Sequence, residues 1–377
     1  MDNSMIGSSV LDIDTPALLI DLEKLEYNLK KMADFFKEKD SDLRPHIKTH
    51  KTPVLAHKQI KAGAIGIACQ KLAEAETMAK AGLDDILITN EVVGDQKIRR
   101  LVNLAKTTDV KTVVDNKENV ISISAAAQER GVEVGILVEV NTGMNRCGVL
   151  PGTPVLELAQ EIDKQKGTKF LGLMGYEGHT VFIETYERRK REAQKALKLL
   201  IDTKELLERN GYECKIVNAG GTGTYDISGT YPGVTEVTAG SYLTMDVKYS
   251  GIEGVEFEQA LSLLTTVISR PTHDRAILDA GMKAITIEFG MPLIKSAKGG
   301  AKLYKLAEEH GYVELEAPDT KLDVGEKIEL VPSHGCTTIN LHDRFYAIRD
   351  NQVESVWPIE ARGKQRSIRD DNRPTPE

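Results

Sequence analysis

The stretch RPHIKTHKTPVLAHKQIKAGAIGIACQKLAEAETMAKAGLDDILITN (residues 44–90) decides the fold class, because it repeats one pattern of short apolar runs and longer amphipathic segments. The apolar runs, which we interpret as strands, are 44–50, 65–70 and 85–90. The segments between them have the spacing of amphipathic helices. Both segments end in glycine, at Gly63 and Gly82, the residue favoured where a helix terminates in a left-handed conformation. This alternation is typical of a parallel sheet covered by helices.

The same alternation continues along the chain. The further candidate strands are 111–116, 134–141, 169–177, 213–220 and 235–243. Eight strands separated by helices over roughly 200 residues match a (β/α)8 barrel. A doubly wound open sheet usually has fewer repeats and a glycine-rich turn after its first strand, whereas the first strand here leads into Lys48 and His50. We therefore predict an α/β fold in which residues 24–248 form a TIM-type barrel.

A second domain is indicated by a change of pattern after about residue 250, where period-2 segments alternate with turn residues. Such alternation predicts antiparallel strands. The run ALLIDL (17–22) is left over from the barrel count, and we assign it to the same sheet. We predict an antiparallel β domain from residues 1–23 and 249–365. The polar residues 366–377 are predicted to form a disordered tail.

The composition restricts the class of protein. The 377 residues are 41% hydrophobic and 28% charged, which is ordinary for a globular protein. The net charge of −8 argues against a nucleic-acid partner, because such proteins usually carry a basic excess. No apolar run reaches the roughly 18 residues of a membrane span, and no basic segment followed by an apolar run marks a signal peptide. Four scattered cysteines without a CxxC pair favour a reduced, cytoplasmic protein.

In a barrel, the active site lies at the carboxyl ends of the strands. The first strand carries His46, Lys48 and His50, which are spaced by two and therefore share one face. A lysine that points into the mouth of a barrel can form a Schiff base once burial lowers its pKa. A solvated lysine in a basic loop is the alternative that spacing alone leaves open.

Two further strand ends carry candidate groups. After the fifth strand, NTGMNRCG (141–148) holds Arg146 among small residues, which suits contact with an anion or a phenolic oxygen. The sixth strand ends in GYEGH (175–179), where Tyr176 and His179 are candidates for stacking on a ring or for proton transfer. A surface arginine, a structural tyrosine and a structural histidine fit the same patterns.

The ends of the seventh and eighth strands predict a phosphate site. The seventh strand leads into NAGGTGTY (218–225), which contains Gly221 and Thr222, and the eighth leads into AGSY (239–242). Backbone N–H groups and hydroxyls at these two places commonly bind a phosphate in barrels. Gly240, Ser241 and Tyr242 belong to this candidate set. A pair of tight glycine turns is the alternative.

The last third of the chain contains a candidate metal site. In PSHGCTT (332–338), His334 and Cys336 lie two apart and are predicted to share one face of a strand. Imidazole and thiolate are good ligands for zinc or another divalent ion. Two protein ligands leave positions for water and substrate oxygens, which suits a catalytic ion. A histidine and a cysteine at this spacing are also common by chance.

Taken together, the motifs resemble a known family. The segments that carry the resemblance are RPHIKTHK, GIACQKLAEAE, TGMNRCG, GGTGTY, ILDAGMKA, EEHG and SHGC. In this order they resemble the D-threonine aldolase and D-serine dehydratase family, fold-type III pyridoxal phosphate enzymes related to bacterial alanine racemase. The resemblance covers nearly the whole chain. Asn141 departs from the pattern, since the family usually has an aspartate at this point of the loop.

The resemblance implies roles for the residues at the barrel mouth. Lys48 matches the lysine that binds pyridoxal phosphate covalently, and Arg146 matches the arginine beside the phenolic oxygen of the cofactor. Tyr176 matches a tyrosine near the cofactor ring. The residues that match the phosphate-binding segments are Gly221, Thr222, Gly240 and Tyr242.

The resemblance also implies a divalent metal, zinc or manganese, bound by His334 and Cys336. A cysteine as the second ligand is typical of the dehydratase branch, so we expect elimination of a β-hydroxy D-amino acid such as D-serine to a 2-oxo acid and ammonia. Retro-aldol cleavage to glycine and an aldehyde, with His179 as the base, is the alternative. An amino-acid racemase and a non-catalytic carrier of pyridoxal phosphate are the less favoured hypotheses. Members of the family are dimeric, so a homodimer is expected.

Overall fold

The computed structural model describes residues 4–295, 300–315 and 322–365. The predicted tail, 366–377, lies outside these residues. The chain divides into two units, each with its own sheet. The barrel unit contains Ala33–Lys48 and Leu55–Gly240, and the β unit contains Thr49–Val54, Ser241–Arg362 and the N-terminal residues up to Met32. None of the helices in the described residues is both long enough and apolar enough to cross a membrane.

The strands and helices of the described residues are numbered in chain order. The strands are β1 (Ala17–Asp21), β2 (Asp42–Leu43), β3 (Ile67–Cys69), β4 (Ile86–Glu91), β5 (Val110–Val114), β6 (Val134–Glu139), β7 (Thr168–Gly175), β8 (Ile216–Ala219), β9 (Glu236–Val237), β10 (Leu261–Thr272), β11 (Arg275–Leu278), β12 (Leu293–Ile294), β13 (Ala301–Leu306), β14 (Gly311–Leu315), β15 (Lys327–Val331), β16 (Arg344–Arg349) and β17 (Gln352–Pro358). The α-helices are α1 (Leu22–Phe36), α2 (Pro53–Lys61), α3 (Leu72–Lys80), α4 (Asp95–Leu104), α5 (Lys117–Arg130), α6 (Thr153–Lys164), α7 (Tyr186–Arg209), α8 (Tyr225–Ser228), α9 (Val247–Ser250) and α10 (Gly335–Ile339). Single 3-10 turns are Val10–Asp12 and Ser241–Leu243.

Helix ends follow the sequence signals. The side chain of Asn116 accepts a hydrogen bond from the backbone N–H of Asn119 at 2.8 Å and so caps the start of α5. Gly131, directly after α5, has a φ of 65°, in the left-handed region where a side chain is disfavoured. The predicted helix terminators Gly63 and Gly82 also have positive φ, 111° and 87°. Local sequence therefore defines where several barrel helices stop.

The barrel unit contains an eight-stranded parallel sheet in the order β2-β9-β8-β7-β6-β5-β4-β3. The sheet curls until its ends meet, because His46, beyond β2, forms a parallel bridge with Ala68 of β3. Two backbone hydrogen bonds of 2.9 Å make this junction, from Ile47 to the carbonyl of Ala68 and from Ala68 to the carbonyl of Pro45. Four successive strands contribute fully buried side chains to one cluster: Leu87, Val113, Leu137 and Met174. The predicted TIM-type barrel is confirmed.

A buried ionic cluster lies where several of the barrel strands begin. Arg44, only 2% exposed, donates two hydrogen bonds of 2.8 Å to Glu236, at the start of β9. It also donates at 2.7 Å to Asp85, which directly precedes β4. Lys111 of β5 donates to the same carboxylate at 2.8 Å. Because the carboxylates of Glu236 and Asp85 both bind it, the Arg44 guanidinium keeps its charge despite burial.

The prediction that residues 44–50 form the first barrel strand is wrong. Only Asp42–Leu43 pairs as β2, and the backbone turns after the bridge at His46. Side-chain nitrogens stabilise that turn, since Nδ1 of His46 accepts the Lys48 N–H at 3.3 Å and Nδ1 of His50 accepts the Thr52 N–H at 3.1 Å. His46, Lys48 and His50 therefore do not share one strand face. The predicted strand 235–243 is likewise shorter, as β9 ends at Val237.

The β unit contains a nine-stranded, mostly antiparallel sheet in the described residues. Its main path is β13-β14-β11-β10-β1-β16-β17, and β15 pairs with both β10 and β12. β1 lies centrally, antiparallel to β10 and parallel to β16, so all but the last residue of the run 17–22 belongs to this sheet. Buried residues from distant parts of the chain form its core, among them Ile13, Leu19, Leu264 and Val353.

The segment that contains His334 and Cys336 is a helix, and its predicted extended conformation is wrong. β15 ends at Val331, and the following Pro332 has no N–H with which to continue the ladder. His334 then takes the N-cap position of α10. The two side chains come from the cap and from the first turn of a helix, where residues two apart do not share a face as they do in a strand.

Candidate functional site

The backbone of Lys48 is fixed at the carboxyl ends of the barrel strands through His46. Nδ1 of His46 accepts the Lys48 N–H at 3.3 Å. Its Nε2 lies 3.1 Å from the hydroxyl of Thr89, on β4, and 3.3 Å from Oε1 of Gln70, after β3. His46 is buried and Lys48 is half-buried. The imidazole thus ties the turn that carries Lys48 to two neighbouring strands.

Arg146, Tyr176 and Gly221 follow three consecutive barrel strands, and the structure brings them together. The guanidinium carbon of Arg146 lies 5.7 Å from the centre of the Tyr176 ring, a cation–π arrangement. A Cβ at position 221 would lie 3.2 Å from that ring, so a side chain there would displace the ring by a few tenths of an ångström. An arginine and a tyrosine therefore converge at the carboxyl ends of β6, β7 and β8.

The loop around Arg146 is organised by Asn141. Its Oδ1 accepts the N–H groups of Gly143 and Asn145, each at 3.1 Å. An asparagine oxygen accepts these bonds as an aspartate would, so the departure from the family pattern keeps the turn. The exposed ring of His179 packs over the same loop, since a Cβ at Gly143 would lie 3.2 Å from it, and Gly143 has a φ of 121°.

Two carboxyls and a thiol near Arg146, those of Glu91, Glu139 and Cys147, form a cluster that no sequence motif indicated. Oxygens of Glu91 and Glu139 and the sulfur of Cys147 lie within 4.8 Å of one another. Glu139 is only 5% exposed, and one of its oxygens lies 3.7 Å from the Arg146 guanidinium. Burial, followed by the charge and hydrogen bond of Glu91, raises the pKa of Glu139 to about 8, although Arg146 opposes the shift. Glu139 therefore holds its proton at neutral pH.

The glycine-rich loop after β8 is held by a buried glutamate. Glu177 accepts hydrogen bonds from the backbone N–H of Gly220 at 3.1 Å, from the hydroxyl of Thr224 at 2.7 Å and from that of Ser228 at 2.6 Å. Glu177 is fully buried, as is Thr222 in the loop itself. Tyr176 and His179 of GYEGH could be recognised from the sequence but Glu177 could not, because a carboxylate in a loop gives no periodic signal.

The remaining phosphate candidates divide between the units. Gly240 ends the barrel unit, whereas Ser241 and Tyr242 begin a 3-10 turn of the β unit. Tyr242 is 1% exposed, and its ring centre lies 5.6 Å from that of Phe257. Within the β unit, Tyr242 is therefore a packed aromatic residue.

His334 and Cys336 lie together in the β unit. Nδ1 of His334 lies 2.8 Å from Oδ2 of the buried Asp246. Burial lowers the pKa of His334, but its hydrogen bonds to Asp246 and to Cys336 outweigh that effect and raise the pKa to about 10. The Cys336 thiol lies 3.4 Å from the hydroxyl of Thr49. Asp246 binds Nδ1 of the imidazole, and the thiol of Cys336 contacts the same ring. The other ring nitrogen, Nε2, and the sulfur can therefore ligate a soft divalent ion together.

Two domain families match the chain. The family described as "Alanine racemase, N-terminal domain" matches residues 20–247, and the "Putative serine dehydratase domain" matches residues 260–348. The first match covers most of the barrel strands and the second most of the antiparallel sheet.

The chain is similar to characterised enzymes over nearly its full length. It is 39% identical to the D-threonine aldolase of Arthrobacter sp, over 96% of both chains. It is 37% identical to the 3-hydroxy-D-aspartate aldolase of Paracoccus denitrificans (strain Pd 1222), over 95% of this chain and 94% of that one.

The fold is likewise that of solved relatives. The crystal structure of D-threonine aldolase from Filomicrobium marinum has a TM-score of 0.92 and 38% identity, covering 95% of this chain and 98% of that one. A mutant D-threo-3-hydroxyaspartate dehydratase, solved in its metal-free form, has a TM-score of 0.84 and 28% identity, covering 93% of this chain and 98% of that one.

Proposed function

The chain belongs to the family of D-threonine aldolases and D-serine dehydratases, and we propose on that basis that it cleaves β-hydroxy D-amino acids to glycine and an aldehyde. The observation that carries the proposal is 39% and 37% identity to two aldolases over nearly the whole of each chain. The retro-aldol alternative is thus better supported than the dehydratase expectation, which rested on Cys336. Lyase chemistry is common to both.

The barrel unit fits pyridoxal phosphate. Lys48 would bind the cofactor covalently, Arg146 would contact its phenolic oxygen, and Tyr176 would lie beside its ring. The glycine at 221, which leaves no side chain between Tyr176 and the loop, and the buried Thr222 are suited to the phosphate. When bound, pyridoxal phosphate supplies an electron sink for the bond that breaks at Cα.

The β unit fits a divalent metal. His334 and Cys336 would ligate it, because an imidazole oriented by a carboxylate and a neighbouring thiol form a donor set that suits zinc; manganese, a harder ion, is the alternative. Two protein ligands leave positions for substrate oxygens. When bound, such an ion polarises the β-hydroxyl of the substrate as a Lewis acid.

The chain's own residues handle the protons. For cleavage, the imidazole of His179 would accept the proton of the β-hydroxyl, which requires an accessible base, and His179 is exposed. For elimination, Nζ of Lys48 would remove the proton from Cα instead. Glu139 lies 3.7 Å from the Arg146 guanidinium, and its raised pKa keeps this carboxyl protonated at neutral pH.

D-serine-type elimination is the second candidate, and Cys336 favours it. An amino-acid racemase is less favoured, because racemisation needs no metal at Cβ. A non-catalytic carrier of the cofactor is disfavoured by the β unit, since such carriers resemble the barrel alone. A cytoplasmic homodimer remains our prediction for the assembly.

Product analysis tests the proposal. The holoenzyme is incubated separately with D-threonine, D-serine and D-3-hydroxyaspartate, and the products are separated by chromatography. Glycine with the matching aldehyde supports the aldolase. A 2-oxo acid with ammonia would replace it with the dehydratase, and appearance of the L-enantiomer would replace it with the racemase.

A further inference from the structure

Asp246 contacts His334 and Gly335 at the proposed metal site, although it is not one of the two proposed metal ligands. The residue is 1% exposed, in the β unit, 88 positions before His334 in the chain. Its Oδ2 accepts from Nδ1 of His334 at 2.8 Å and from the backbone N–H of Gly335 at 2.9 Å. Its Oδ1 accepts from the backbone N–H of Tyr249 at 2.9 Å. Both carboxylate oxygens are therefore engaged by protein donors.

The carboxylate of Asp246 is held in a fixed orientation by its own helix. Asp246 is the N-cap residue of α9, and the bond to Tyr249 is that cap. His334 is in turn the N-cap residue of α10, and Gly335 is the first residue of that helix. One oxygen of Asp246 thus holds the imidazole and the start of the helix that carries Cys336. The relative position of the two proposed ligands depends on this atom.

Aromatic rings restrict the His334 imidazole further. The Phe289 ring meets it edge-on with ring centres 5.0 Å apart, and the Tyr249 ring stacks at 6.2 Å with an interplanar angle of 28°. These contacts limit rotation of the imidazole, while the bond to Asp246 selects the nitrogen that carries the proton. With Nδ1–H donating to the carboxylate, Nε2 is the nitrogen that a metal would bind, in exchange for the proton on it.

We propose that Asp246 is a positioning residue, which fixes the tautomer and the direction of the metal-ligating His334. This inference rests on the proposed metal site and extends it to a residue outside the ligand pair. Loss of a carboxylate behind a metal-bound histidine typically weakens metal binding by about 10–100-fold. We expect the same loss here when the carboxylate is replaced by a group that still caps α9.

The test uses Asp246→Asn and Asp246→Ser in the full-length holoenzyme. Both side chains keep an oxygen for the N–H of Tyr249, so α9 retains its cap, and neither offers a carboxylate to His334. Zn²⁺ affinity is measured by competition with a chromogenic chelator, and Co²⁺-substituted protein is followed by its visible absorption. We expect Zn²⁺ to bind about 10–100-fold more weakly and the Co²⁺ bands to shift. The absorbance of the bound pyridoxal phosphate should be unchanged.

Asp279→Asn is the matched control. Asp279 is a carboxylate of the same unit that accepts from the hydroxyl of Thr265 at 2.6 Å and the N–H of Thr266 at 2.9 Å. Its replacement should lower the melting temperature and leave Zn²⁺ affinity and the Co²⁺ spectrum as they are. An equal loss of Zn²⁺ affinity in this variant would overturn the positioning role, because the effect would then follow stability.

Two other outcomes are decisive. Zn²⁺ affinity and Co²⁺ spectra equal to wild type in both Asp246 variants, with binding lost in His334→Ala, would overturn the role of Asp246 and leave the metal site standing. Equal Zn²⁺ binding by wild type and His334→Ala would remove the metal site itself, and the positioning role with it.

Discussion

At the scale of single residues, the Glu139 carboxyl has the clearest electrostatic consequence. Its pKa in the folded protein is about 8, against 4.5 as the ordinary value. The folded state therefore binds this proton more tightly than the unfolded state does between these two values. The stability that the proton contributes is fully present below pH 4.5 and is lost as the pH rises through 8.

Glu139→Gln should remove that pH dependence. We expect the melting temperature of the wild-type protein to fall relative to this variant between about pH 5 and pH 8, because in this range only unfolding of the wild type releases the Glu139 proton. Thermal unfolding across this range measures the difference. The exposed Glu129, on α5, gives the control Glu129→Gln, which should follow the wild type. Curves of Glu139→Gln and wild type that stay parallel would argue against a protonated Glu139 in the folded protein.

Lys48→Ala should abolish the visible absorbance of bound pyridoxal phosphate and all lyase turnover. Both depend on the covalent bond between the cofactor and a lysine amine, and Lys48 is the lysine proposed to form that bond. Absorption spectra after incubation with the cofactor measure the change. Lys51→Ala, three residues further along the chain, is the control and should keep the absorbance. If the spectrum of Lys48→Ala matched that of the wild type, Lys48 would lose its assigned role.

At the scale of elements, the sequence predicted the order of strands well and their ends poorly. Seven of the eight predicted barrel strands overlap an observed strand, and most of these are continuous apolar runs. The predicted strand 44–50 does not overlap β2, since apolar and polar residues alternate there in a turn as they would in a strand. The helix at Gly335–Ile339 was missed for a related reason, because its start depends on Asp246, far away in the chain.

The loop Gly220–Thr224 and helix α8 form one element whose conformation depends on Glu177. Glu177→Gln should lower the free energy of unfolding by about 2 kcal/mol, because hydrogen bonds to a charged, buried acceptor are worth about 1.5–3 kcal/mol. The variant should also release pyridoxal phosphate more readily. Urea unfolding and cofactor dissociation measure these effects.

Glu213→Gln is the matched control for this loop. Glu213 is exposed and precedes β8, which leads into the same loop. Its replacement should change neither the unfolding free energy nor the cofactor dissociation rate. Equal stability of Glu177→Gln and Glu213→Gln would mean that the carboxylate of Glu177 contributes nothing to the loop.

At the scale of the whole molecule, the sequence predicted the barrel and the β sheet, including the pairing of an N-terminal strand with C-terminal ones. It also named the groups with distinctive chemistry, such as Arg146 and His334. It did not reveal the carboxylates that support them. Glu139 and Asp246 lie in apolar or mixed segments, and their importance follows from contacts that only the folded chain creates.

The division of groups between the two units predicts how cofactor and metal respond to chelation. The residues proposed to bind pyridoxal phosphate covalently and at its ring belong to the barrel unit, whereas His334 and Cys336 belong to the β unit. Dialysis against a strong chelator should therefore abolish formation of glycine from D-threonine while the absorbance of the bound cofactor persists. Addition of Zn²⁺ or Mn²⁺ should restore activity to the wild type but not to His334→Ala. Full activity after exhaustive chelation would instead favour chemistry without a metal at Cβ, such as racemisation, and loss of the cofactor absorbance would give His334 and Cys336 a structural role.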